Sequence, residues 1–357
     1  MTRDFWKGKT VFVTGHTGFK GSWLVLWLNR LGARVTGYAL QPPTSPSLFS
    51  LAGIAQTTTS LEADVRDLGQ LSLEIQRSQP DVVFHLAAQS LVRQSYQEPV
   101  ETYATNIMGT VNLLESVRQC PSVKSTIVVT SDKCYENKEW FWAYREDEPM
   151  GGSDPYSSSK GCAELVTAAY RKSFFSGASG GNTLSGLASA RAGNVIGGGD
   201  WATDRLIPDI LKSFSERRPV LIRSPKAVRP WQHVLEPLAG YLELAEKLWS
   251  DADKFAGSWN FGPGEDDVKP VSWIVERLKN DWGEGSEWQL DVGPRPHEAA
   301  YLKLDCSKAR ALLNWAPVLN LEIALKWTVE WYRGYLDGKN MRQVTEAQIE
   351  RYQDRSA

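Results

Sequence analysis

Short apolar runs alternate with longer amphipathic stretches over the first two thirds of the chain. The apolar runs are rich in β-branched residues and occupy residues 10–14, 33–40, 81–88, 125–131 and 184–195. Helical periodicity covers residues 22–31, 68–78, 100–120 and 155–175. Strands that alternate with helices of this length predict βαβ units and a parallel sheet. The run at 82–88 is apolar on both strand faces, which predicts an α/β fold whose doubly wound sheet is covered by helices on both sides.

The regular alternation is lost after Gly197, where proline and tryptophan become frequent, and a Trp-rich helical stretch follows at 321–336. We therefore expect two domains. The sheet domain comprises residues 1–197 plus about 234–262, and a smaller mixed α/β domain comprises about 198–233 plus 263–345. Residues 346–357 form a polar tail that we expect to fray.

Composition restricts the class of protein. With 357 residues, 42% of them hydrophobic and 23% charged, the chain is long enough for two globular domains. The net charge of −2 gives no surface that attracts polyanions, so nucleic acid is not an expected partner. The first residues lack an apolar signal core, and no apolar run approaches the roughly 20 residues of a membrane span. The four cysteines lack a C-x-x-C pair or nearby histidines, which predicts reduced thiols in a cytoplasmic protein without a metal site.

A glycine-rich turn stands between the first predicted strand and the first helix. Its residues that we assign to cofactor binding are Gly15, His16, Thr17, Gly18, Phe19 and Gly21. The bare backbone of such a turn lets a pyrophosphate approach the N–H groups and the positive dipole at the helix N-terminus. Its position at a strand-to-helix junction predicts a Rossmann-type dinucleotide site. The histidine leaves two interpretations open: it crowds the cofactor, or it is an exposed turn side chain.

A tyrosine and a lysine follow the fifth predicted strand at catalytic spacing. Residues 154–155, Asp-Pro, predict a helix start, so Tyr156 and Lys160 lie at i and i+4 on one helix face. A phenol normally titrates near 10, and a neighbouring ammonium stabilises the phenolate and favours its use as a base. A second Tyr-x-x-x-Lys at 335–339 contains a glycine that predicts a helix end, and no cofactor motif lies near it.

The fifth strand ends in Ser131, Asp132 and Lys133. Ligands of parallel sheets bind beyond the carboxyl ends of the strands, so these side chains should face the cofactor. A dehydrogenase or an epimerase needs only the hydroxyl here. The acid and the amine beside it fit a dehydration, which requires further proton transfers. They equally fit a strand-end ion pair between Asp132 and Lys133, and the residues alone leave both interpretations open.

The G-x-x-G-x-x-G spacing resembles the extended short-chain dehydrogenase/reductase family, as do further segments in the same order. The matching residues outside the turn are Asp64, Val65, Leu86, Ala87, Ala88 and Asn106. The resemblance implies NAD as cofactor, with Asp64 and Val65 at the adenine, residues 86–88 under the cofactor, and Asn106 in a structural role. Members of this family usually carry an acidic residue at the end of the second strand. This chain has Gly-Tyr-Ala-Leu-Gln at 37–41, which implies a less tightly held NAD.

The Ser-Asp-Lys run resembles the CDP-glucose branch of the sugar-nucleotide 4,6-dehydratases within that family. Longer stretches similar to this branch lie at residues 42–49, 191–201, 229–233 and 304–308. The resemblance implies a redox-neutral conversion of CDP-glucose to CDP-4-keto-6-deoxyglucose in deoxysugar and O-antigen biosynthesis. Tyr156 would take the C4 hydroxyl proton, with Lys160 positioning Tyr156 and the ribose. Ser131 would bind the C4 oxygen, and Asp132 would protonate the departing C6 hydroxyl. Lys133 stands where the relatives' C5 base is Glu, so it must be neutral, which requires burial or nearby positive charge.

The same resemblance implies further contacts. The residues that it assigns to the substrate are Asn194, Arg205, Arg229 and Arg295, and guanidinium groups suit a diphosphate. It also implies a homodimer, or a dimer of dimers, formed through the helices at about 100–120 and 155–175. For the aromatic loop at 140–144 we expect a subunit contact or packing rather than a lid.

Two rival functions remain to be tested. One is a sugar-nucleotide 4-epimerase, which would make no 4-keto-6-deoxy product. The other is a non-catalytic sensor that binds NAD(H). The intact set of Ser131, Tyr156 and Lys160 argues against the sensor, because a sensor has no use for all three.

Overall fold

The computed structural model describes residues 3–175, 185–291 and 301–356. The strands, in chain order, are β1 (Thr10–Thr14), β2 (Arg34–Ala39), β3 (Thr59–Glu62), β4 (Val82–His85), β5 (Ser125–Val129), β6 (Gly186–Arg191), β7 (Val195–Ile196), β8 (Val220–Ile222), β9 (Val228–Pro230), β10 (Gln232–His233), β11 (Gly257–Asn260), β12 (Val268–Pro270) and β13 (Trp288–Leu290). The helices are α1 (Arg3–Trp6), α2 (Phe19–Arg30), α3 (Leu48–Leu51), α4 (Leu68–Ser78), α5 (Val92–Gln97), α6 (Pro99–Tyr103), α7 (Gly109–Arg118), α8 (Pro155–Phe174), α9 (Leu206–Ser215), α10 (Leu235–Ser250), α11 (Ala252–Phe255), α12 (Val271–Trp282), α13 (Leu321–Leu336) and α14 (Met341–Ser356).

Seven parallel strands form the central sheet, in the order β11-β6-β5-β4-β1-β2-β3. The chain winds outward from β1 through β2 to β3, and then outward in the other direction from β4 through β5 to β6. The direction of winding reverses between β1 and β4, which is where ligands of such sheets bind. The predicted doubly wound α/β fold is confirmed.

Both faces of the sheet are buried. Every residue of β4 and β5 is buried, and alternate residues of each strand enter different apolar clusters. Phe84 and Ile127 pack with α2 and α10 on one face, whereas Val83 and Val128 pack with α4 and α7 on the other. The continuous apolar runs of the sequence therefore reflect two covered faces, as expected for a parallel sheet between helical layers.

The second half of the chain contributes to both the sheet and the region above it. After the short strands β7 to β10, the helix α10 packs on β5 and β6, and β11 then pairs with β6 at the sheet edge. The remaining short strands form three two-stranded pairs, β7 with β10, β8 with β13 and β9 with β12. These pairs and α9 lie beyond the carboxyl ends of the central strands and supply part of the cavity described below.

The end of the chain differs from the expected frayed tail. Residues 341–356 form α14, in which Ile349 and Tyr352 are buried three residues apart on one face. The Tyr352 ring packs edge-on against Trp27 at 5.6 Å, and its hydroxyl donates to the Glu236 carboxylate at 2.8 Å. That buried carboxylate also accepts the backbone N–H groups of Val318 and Leu319. The expectation failed because two apolar side chains at helical spacing suffice to dock an otherwise polar helix.

None of the described helices is long and apolar enough to span a membrane.

Candidate active site

A cavity of about 1790 Å³ opens at the carboxyl end of the sheet, where the winding reverses. Eighteen predicted site residues line it: Gly15, Thr17, Gly18, Phe19, Gly21, Asp64, Val65, Leu86, Ala87, Ala88, Ser131, Asp132, Lys133, Tyr156, Lys160, Asn194, Arg205 and Arg229. His16 is not in this lining. Arg295 lies outside the described residues. The volume exceeds what one drug-sized ligand occupies, so the cavity has room for two ligands at once.

The glycine turn packs directly on the loop after β4. Gly15 has a φ of 73°, and a Cβ there would lie 2.6 Å from the backbone nitrogen of Ala87, so only glycine fits. The hydroxyl of Thr14 accepts the N–H groups of Leu86 and Ala87 at 3.2 Å each. The helix α2 begins at Phe19, directly after Gly18. The N-terminus of this 12-residue helix thus adjoins the cavity, as a site for pyrophosphate requires.

His16 is buried, so the interpretation as an exposed turn side chain is wrong. Its Nε2 lies 2.7 Å from the Ser60 hydroxyl, and its ring packs edge-on against Phe49 at 5.3 Å. A Cβ on Gly37 of β2 would lie 2.3 Å from the ring, which explains the glycine in that strand. Burial lowers the pKa of His16 to about 4, so the neutral ring joins the glycine turn to β2 and β3.

Asn106 occupies a π-helical turn at Ala104–Met108, between α6 and α7. Its amide donates to the carbonyl of Gln89 at 3.0 Å and to the Ser159 hydroxyl at 2.8 Å, while its oxygen accepts the N–H of Gln89 at 2.9 Å. Asn106 therefore connects the loop after β4 to α8, one residue before Lys160. Such π-turns often occur at functional sites.

Tyr156 and Lys160 lie on the first turns of α8, and both line the cavity. The Asp154 carboxylate caps this helix by accepting the N–H of Ser157 at 2.9 Å. Tyr156 is 8% exposed and Lys160 is 7% exposed. Burial raises the pKa of Tyr156 to about 12, opposed by a hydrogen bond from Ser131. Burial lowers the pKa of Lys160 to about 8, opposed by the negative charge of Glu164. Burial thus moves the two pKa values apart, since it favours the neutral form of both the phenol and the amine.

Asp132 carries a buried carboxylate oxygen that has no partner among the described residues. The residue is 2% exposed and follows Ser131, whose hydroxyl donates to Asp132 Oδ1 at 2.9 Å. The other oxygen, Oδ2, lies against Gly193, where a Cβ would approach it to 1.8 Å. A buried acceptor without a donor costs stability, and this oxygen belongs to a residue that lines the cavity, where a ligand can supply the donor.

Lys133 does not pair with this carboxylate. No ion pair joins Asp132 and Lys133, both of which are described, so the interpretation as a strand-end ion pair is wrong. The Lys133 ammonium lies 6.0 Å from the centre of the Tyr156 ring. Its side chain is exposed, so the burial that would make it neutral is not present in the protein alone.

The predicted substrate residues Asn194, Arg205 and Arg229 line the same cavity. Arg205 donates to the Asp200 carboxylate at 2.8 Å and to the Ser90 hydroxyl at 3.0 Å. It thereby connects the segment after β7 to the loop after β4. Arg229 donates to the carbonyl of Val228 at 3.0 Å. Asn194 has a φ of 48°, the left-handed conformation that asparagine tolerates.

Lys20 is a cavity residue that the sequence reasoning missed. Burial lowers its pKa to about 7, assisted by the positive charges of Arg205 and Lys160 and opposed by Asp132. It was overlooked because a lysine near a helix start is usually solvated. Its position between the second and third glycines of the turn, beside the expected pyrophosphate, indicates a place in the cavity.

A buried ion pair behind the catalytic helix was also missed. Glu164 lies one turn after Lys160, and its carboxylate accepts hydrogen bonds from Arg191 Nη2 at 2.7 Å and from the Thr130 hydroxyl at 2.5 Å. Arg191, the last residue of β6, also donates to the Tyr135 hydroxyl at 2.7 Å. This network fixes the end of β5 relative to α8, and so the distance between the acid and the phenol.

The aromatic loop after β5 is partly packed and partly exposed. Trp140 packs on Tyr144 at 5.5 Å, and Tyr144 stacks on Tyr135 at 5.1 Å. Phe141 is 84% exposed and Trp142 is 69% exposed. Packing therefore accounts for Trp140 and Tyr144 but not for the exposed Phe141 and Trp142.

The doubly wound sheet, the glycine turn and the buried Tyr-Lys pair define an extended short-chain dehydrogenase/reductase. The family model described as GDP-mannose 4,6 dehydratase matches residues 12–254. The chain belongs to this family.

Similar proteins extend over almost the whole chain. It is 54% identical to CDP-glucose 4,6-dehydratase from Salmonella typhimurium, over 99% of this chain and 98% of that protein. It is 27% identical to dTDP-glucose 4,6-dehydratase from Neisseria gonorrhoeae, over 94% of this chain and 98% of that protein. The fold matches the crystal structure of dTDP-glucose 4,6-dehydratase from Bacillus anthracis in complex with NAD, with a TM-score of 0.76, 21% identity, and coverage of 94% and 100%.

Proposed function

We propose that this protein removes water from CDP-glucose to give CDP-4-keto-6-deoxyglucose, with NAD as a cofactor that is regenerated in each turnover. The observation that carries the proposal is the buried, unpartnered carboxylate oxygen of Asp132 beside Ser131, in the same cavity as Tyr156 and Lys160. A 4-epimerase needs the phenol and the hydroxyl but not the acid. The relative from Salmonella typhimurium, 54% identical, bears the corresponding name. The product suits deoxysugar and O-antigen biosynthesis, and the four unpaired cysteines suit the cytoplasm.

The cavity fits NAD. The glycine turn leaves the N-terminus of α2 open to a pyrophosphate, and Asp64, Val65 and residues 86–88 line the cavity on either side of it. When bound, NAD takes a hydride from C4 of the sugar and later returns one to C6, and its positive ring favours the phenolate of Tyr156.

The first chemical step uses three side chains. Tyr156, as phenolate, accepts the proton of the C4 hydroxyl. Lys160 lies one helical turn further on and stabilises the phenolate as an ammonium, because its pKa of about 8 keeps much of it protonated near neutral pH. Ser131 turns its hydroxyl proton from Asp132 Oδ1 to the C4 oxygen and fixes the position of that oxygen.

The elimination of water uses the two residues after Ser131. Once C4 is a ketone, the proton on C5 is acidic. Lys133, after releasing its own proton to solvent, accepts the C5 proton and returns a proton to C5 when the hydride reaches C6. Asp132 delivers a proton to the departing C6 hydroxyl through Oδ2, the oxygen without a partner among the described residues. Substrate seated over the exposed ammonium of Lys133 would bury it and favour its neutral form.

The substrate's diphosphate suits Arg205 and Arg229, since guanidinium groups bind phosphate through paired donors. Asn194 also lines the cavity and suits the sugar. We assign residues 198–233 and 263–345 to a smaller substrate domain, and 1–197 with about 234–262 to the NAD domain. Arg295 remains a prediction.

Mass spectrometry of products tests the function. The purified chain is incubated with CDP-, dTDP-, GDP- and UDP-glucose, with and without added NAD. We expect loss of water from CDP-glucose. An isomer of unchanged mass would indicate an epimerase, and no conversion of any sugar nucleotide would support the sensor.

Two tyrosine variants locate the chemistry. Tyr156→Phe should abolish conversion. Tyr335→Phe, at the second Tyr-x-x-x-Lys, is the matched control and should retain it. Equal activity in the two variants would refute the assignment of Tyr156.

We further propose that two copies pair through α6, α7 and α8. Exposed apolar side chains on α6, on α8 and on the π-helical turn before α7 include Val100, Tyr103, Met108 and Leu165. Light scattering should show a dimer or a dimer of dimers that Leu165→Arg dissociates, whereas Leu336→Arg, at an exposed leucine of α13, leaves it unchanged. An unaltered mass in Leu165→Arg would refute this interface.

A further inference from the structure

The strands β2 and β3 end side by side at the cavity. Ala39, the last residue of β2, is paired with Glu62, the last residue of β3. Gln41 follows β2 and lines the cavity, twenty residues after Gly21. In Rossmann folds a carboxylate about 20 residues beyond the glycine turn binds the ribose 2′-hydroxyl of the adenosine. Gln41 stands at that position without a charge.

The neighbouring strand supplies the missing carboxylate. Gln41 Nε2 donates a hydrogen bond to Glu62 Oε2. A carboxamide has two N–H donors and one carbonyl oxygen, and this bond uses one donor. The amide therefore still has groups for the ribose. The carboxylate is held at the end of β3, one strand away from the usual position.

A second carboxylate near the end of β3 is already paired with a guanidinium group. The Asp64 carboxylate accepts Arg66 Nε at 2.8 Å, and the same guanidinium also pairs with Glu101. Arg66 is thus committed to two carboxylates. Glu62 makes no ion pair with any described residue. The net charge at this end of the cavity is therefore negative.

Apart from Arg66, which is already paired, the described part of the chain provides no cation for a phosphate at this end of the cavity. The described residues that line this end are Ala39, Leu40, Gln41, Ala63, Asp64 and Val65, none of them Lys or Arg. A 2′-phosphate on the ribose would approach the Glu62 carboxylate without a compensating charge. A 2′-hydroxyl would instead find an acceptor in Glu62 or in the Gln41 carbonyl.

We propose that Gln41 and Glu62 act as a pair that binds the adenosine ribose 2′-hydroxyl and excludes a 2′-phosphate, so that the protein selects NAD over NADP. The pair replaces the single carboxylate that would otherwise follow β2. The inference rests on NAD as the cofactor of the proposed function but concerns only cofactor binding.

Calorimetry tests the pair on the full-length chain freed of cofactor and without any sugar nucleotide. The unmodified protein should bind NAD at least tenfold more tightly than NADP, since a hydrogen bond to a charged group changes affinity by roughly tenfold or more. Glu62→Gln should reduce the ratio of the NADP dissociation constant to the NAD dissociation constant by roughly tenfold, because the repulsion of the 2′-phosphate is removed. Gln41→Ala should weaken NAD binding, and the double variant should lose less than the sum of the two effects.

Glu284→Gln, at an exposed carboxylate in the turn after α12, is the matched control and should leave the ratio unchanged. Gln41 and Glu62 are exposed, so thermal melting of their variants should match that of the unmodified protein. An unchanged ratio in Glu62→Gln, or an equal change for NAD and NADP, would overturn the inference. A protein that selects NAD but leaves CDP-glucose unconverted would support the pair and refute the proposed function.

Discussion

Gly193 allows a direct test of Asp132 as the general acid, because the Asp132 carboxylate packs against the backbone of Gly193. An alanine Cβ at this position would lie 1.8 Å from Asp132 Oδ2, and ordinary contact begins near 3.4 Å. The carboxylate must therefore move by about 1.6 Å in Gly193→Ala. The nearest atoms to this Cβ all belong to Asp132.

The expected effect is on one step of the reaction. A misplacement of about 1 Å can cost roughly a hundredfold, and a positioned general acid contributes about 10²–10⁴-fold. We expect Gly193→Ala to slow the loss of water by at least about a hundredfold. Oxidation at C4 depends on Tyr156 and Ser131 and should stay within about tenfold of the parental rate.

Single-turnover kinetics separate the two steps. Absorbance of the reduced nicotinamide follows oxidation at C4, and mass spectrometry of quenched samples follows the loss of water. Gly193→Ala should accumulate reduced cofactor that the parent enzyme does not. Gly264→Ala is the matched control, since its Cβ would meet nothing closer than 3.9 Å. A folded Gly193→Ala protein that eliminates water at the parental rate would refute the placement of the acid.

Three further predictions concern the base, the buried ion pair and the C-terminal helix. Lys133→Ala should reduce solvent deuterium incorporation at C5 at least about a hundredfold, and unchanged exchange by mass spectrometry would rule out Lys133 as the base. Arg191→Met leaves Glu164 buried without its partner, so urea unfolding should show a loss of roughly 3–5 kcal/mol, and a loss below about 1 kcal/mol would contradict the buried pair. Burial raises the pKa of Glu236 from 4.5 to about 7, so the native protein binds a proton that the unfolded chain has released. The free energy of unfolding should therefore fall by about 3 kcal/mol as the pH rises from 4.5 through 7. Glu236→Gln should remove that part of the pH dependence, and parallel profiles for the two proteins would disprove it.

Features that depend on neighbours in sequence could be predicted. The alternation of apolar runs and helical stretches predicted the sheet, because the apolar runs in the sequence are the strands that become buried. The glycine turn and the Tyr156–Lys160 spacing are local, so their geometry follows from one strand-to-helix junction and one helix. The resemblance to known dehydratases then assigned chemistry to Asp132 that spacing alone left open.

Features that depend on packing between distant segments could not be predicted. His16 is buried because Gly37, on another strand, leaves space for its ring. The C-terminal helix is docked by Tyr352 on Trp27, more than three hundred residues away in sequence. The pairing of Glu164 with Arg191 requires that α8 and β6 are already adjacent. In each case the sequence contains the residue but not its partner's position.

The charged side chains of the cavity interact with one another and with the charges of the expected ligands. Lys20, Lys160 and Arg205 influence one another electrostatically around the buried carboxylate of Asp132. Because burial lowers the pKa of Lys20 to about 7 and that of Lys160 to about 8, both lysines titrate close to neutral pH in the protein alone. The pyrophosphate of a dinucleotide and the diphosphate of a sugar nucleotide each bring negative charge, which stabilises the protonated lysines. Binding of either anion therefore favours the ammonium of Lys160 that the phenolate of Tyr156 requires. Ligand binding therefore raises the charged fraction of Lys160, which couples the occupancy of the cavity to the protonation of the catalytic lysine.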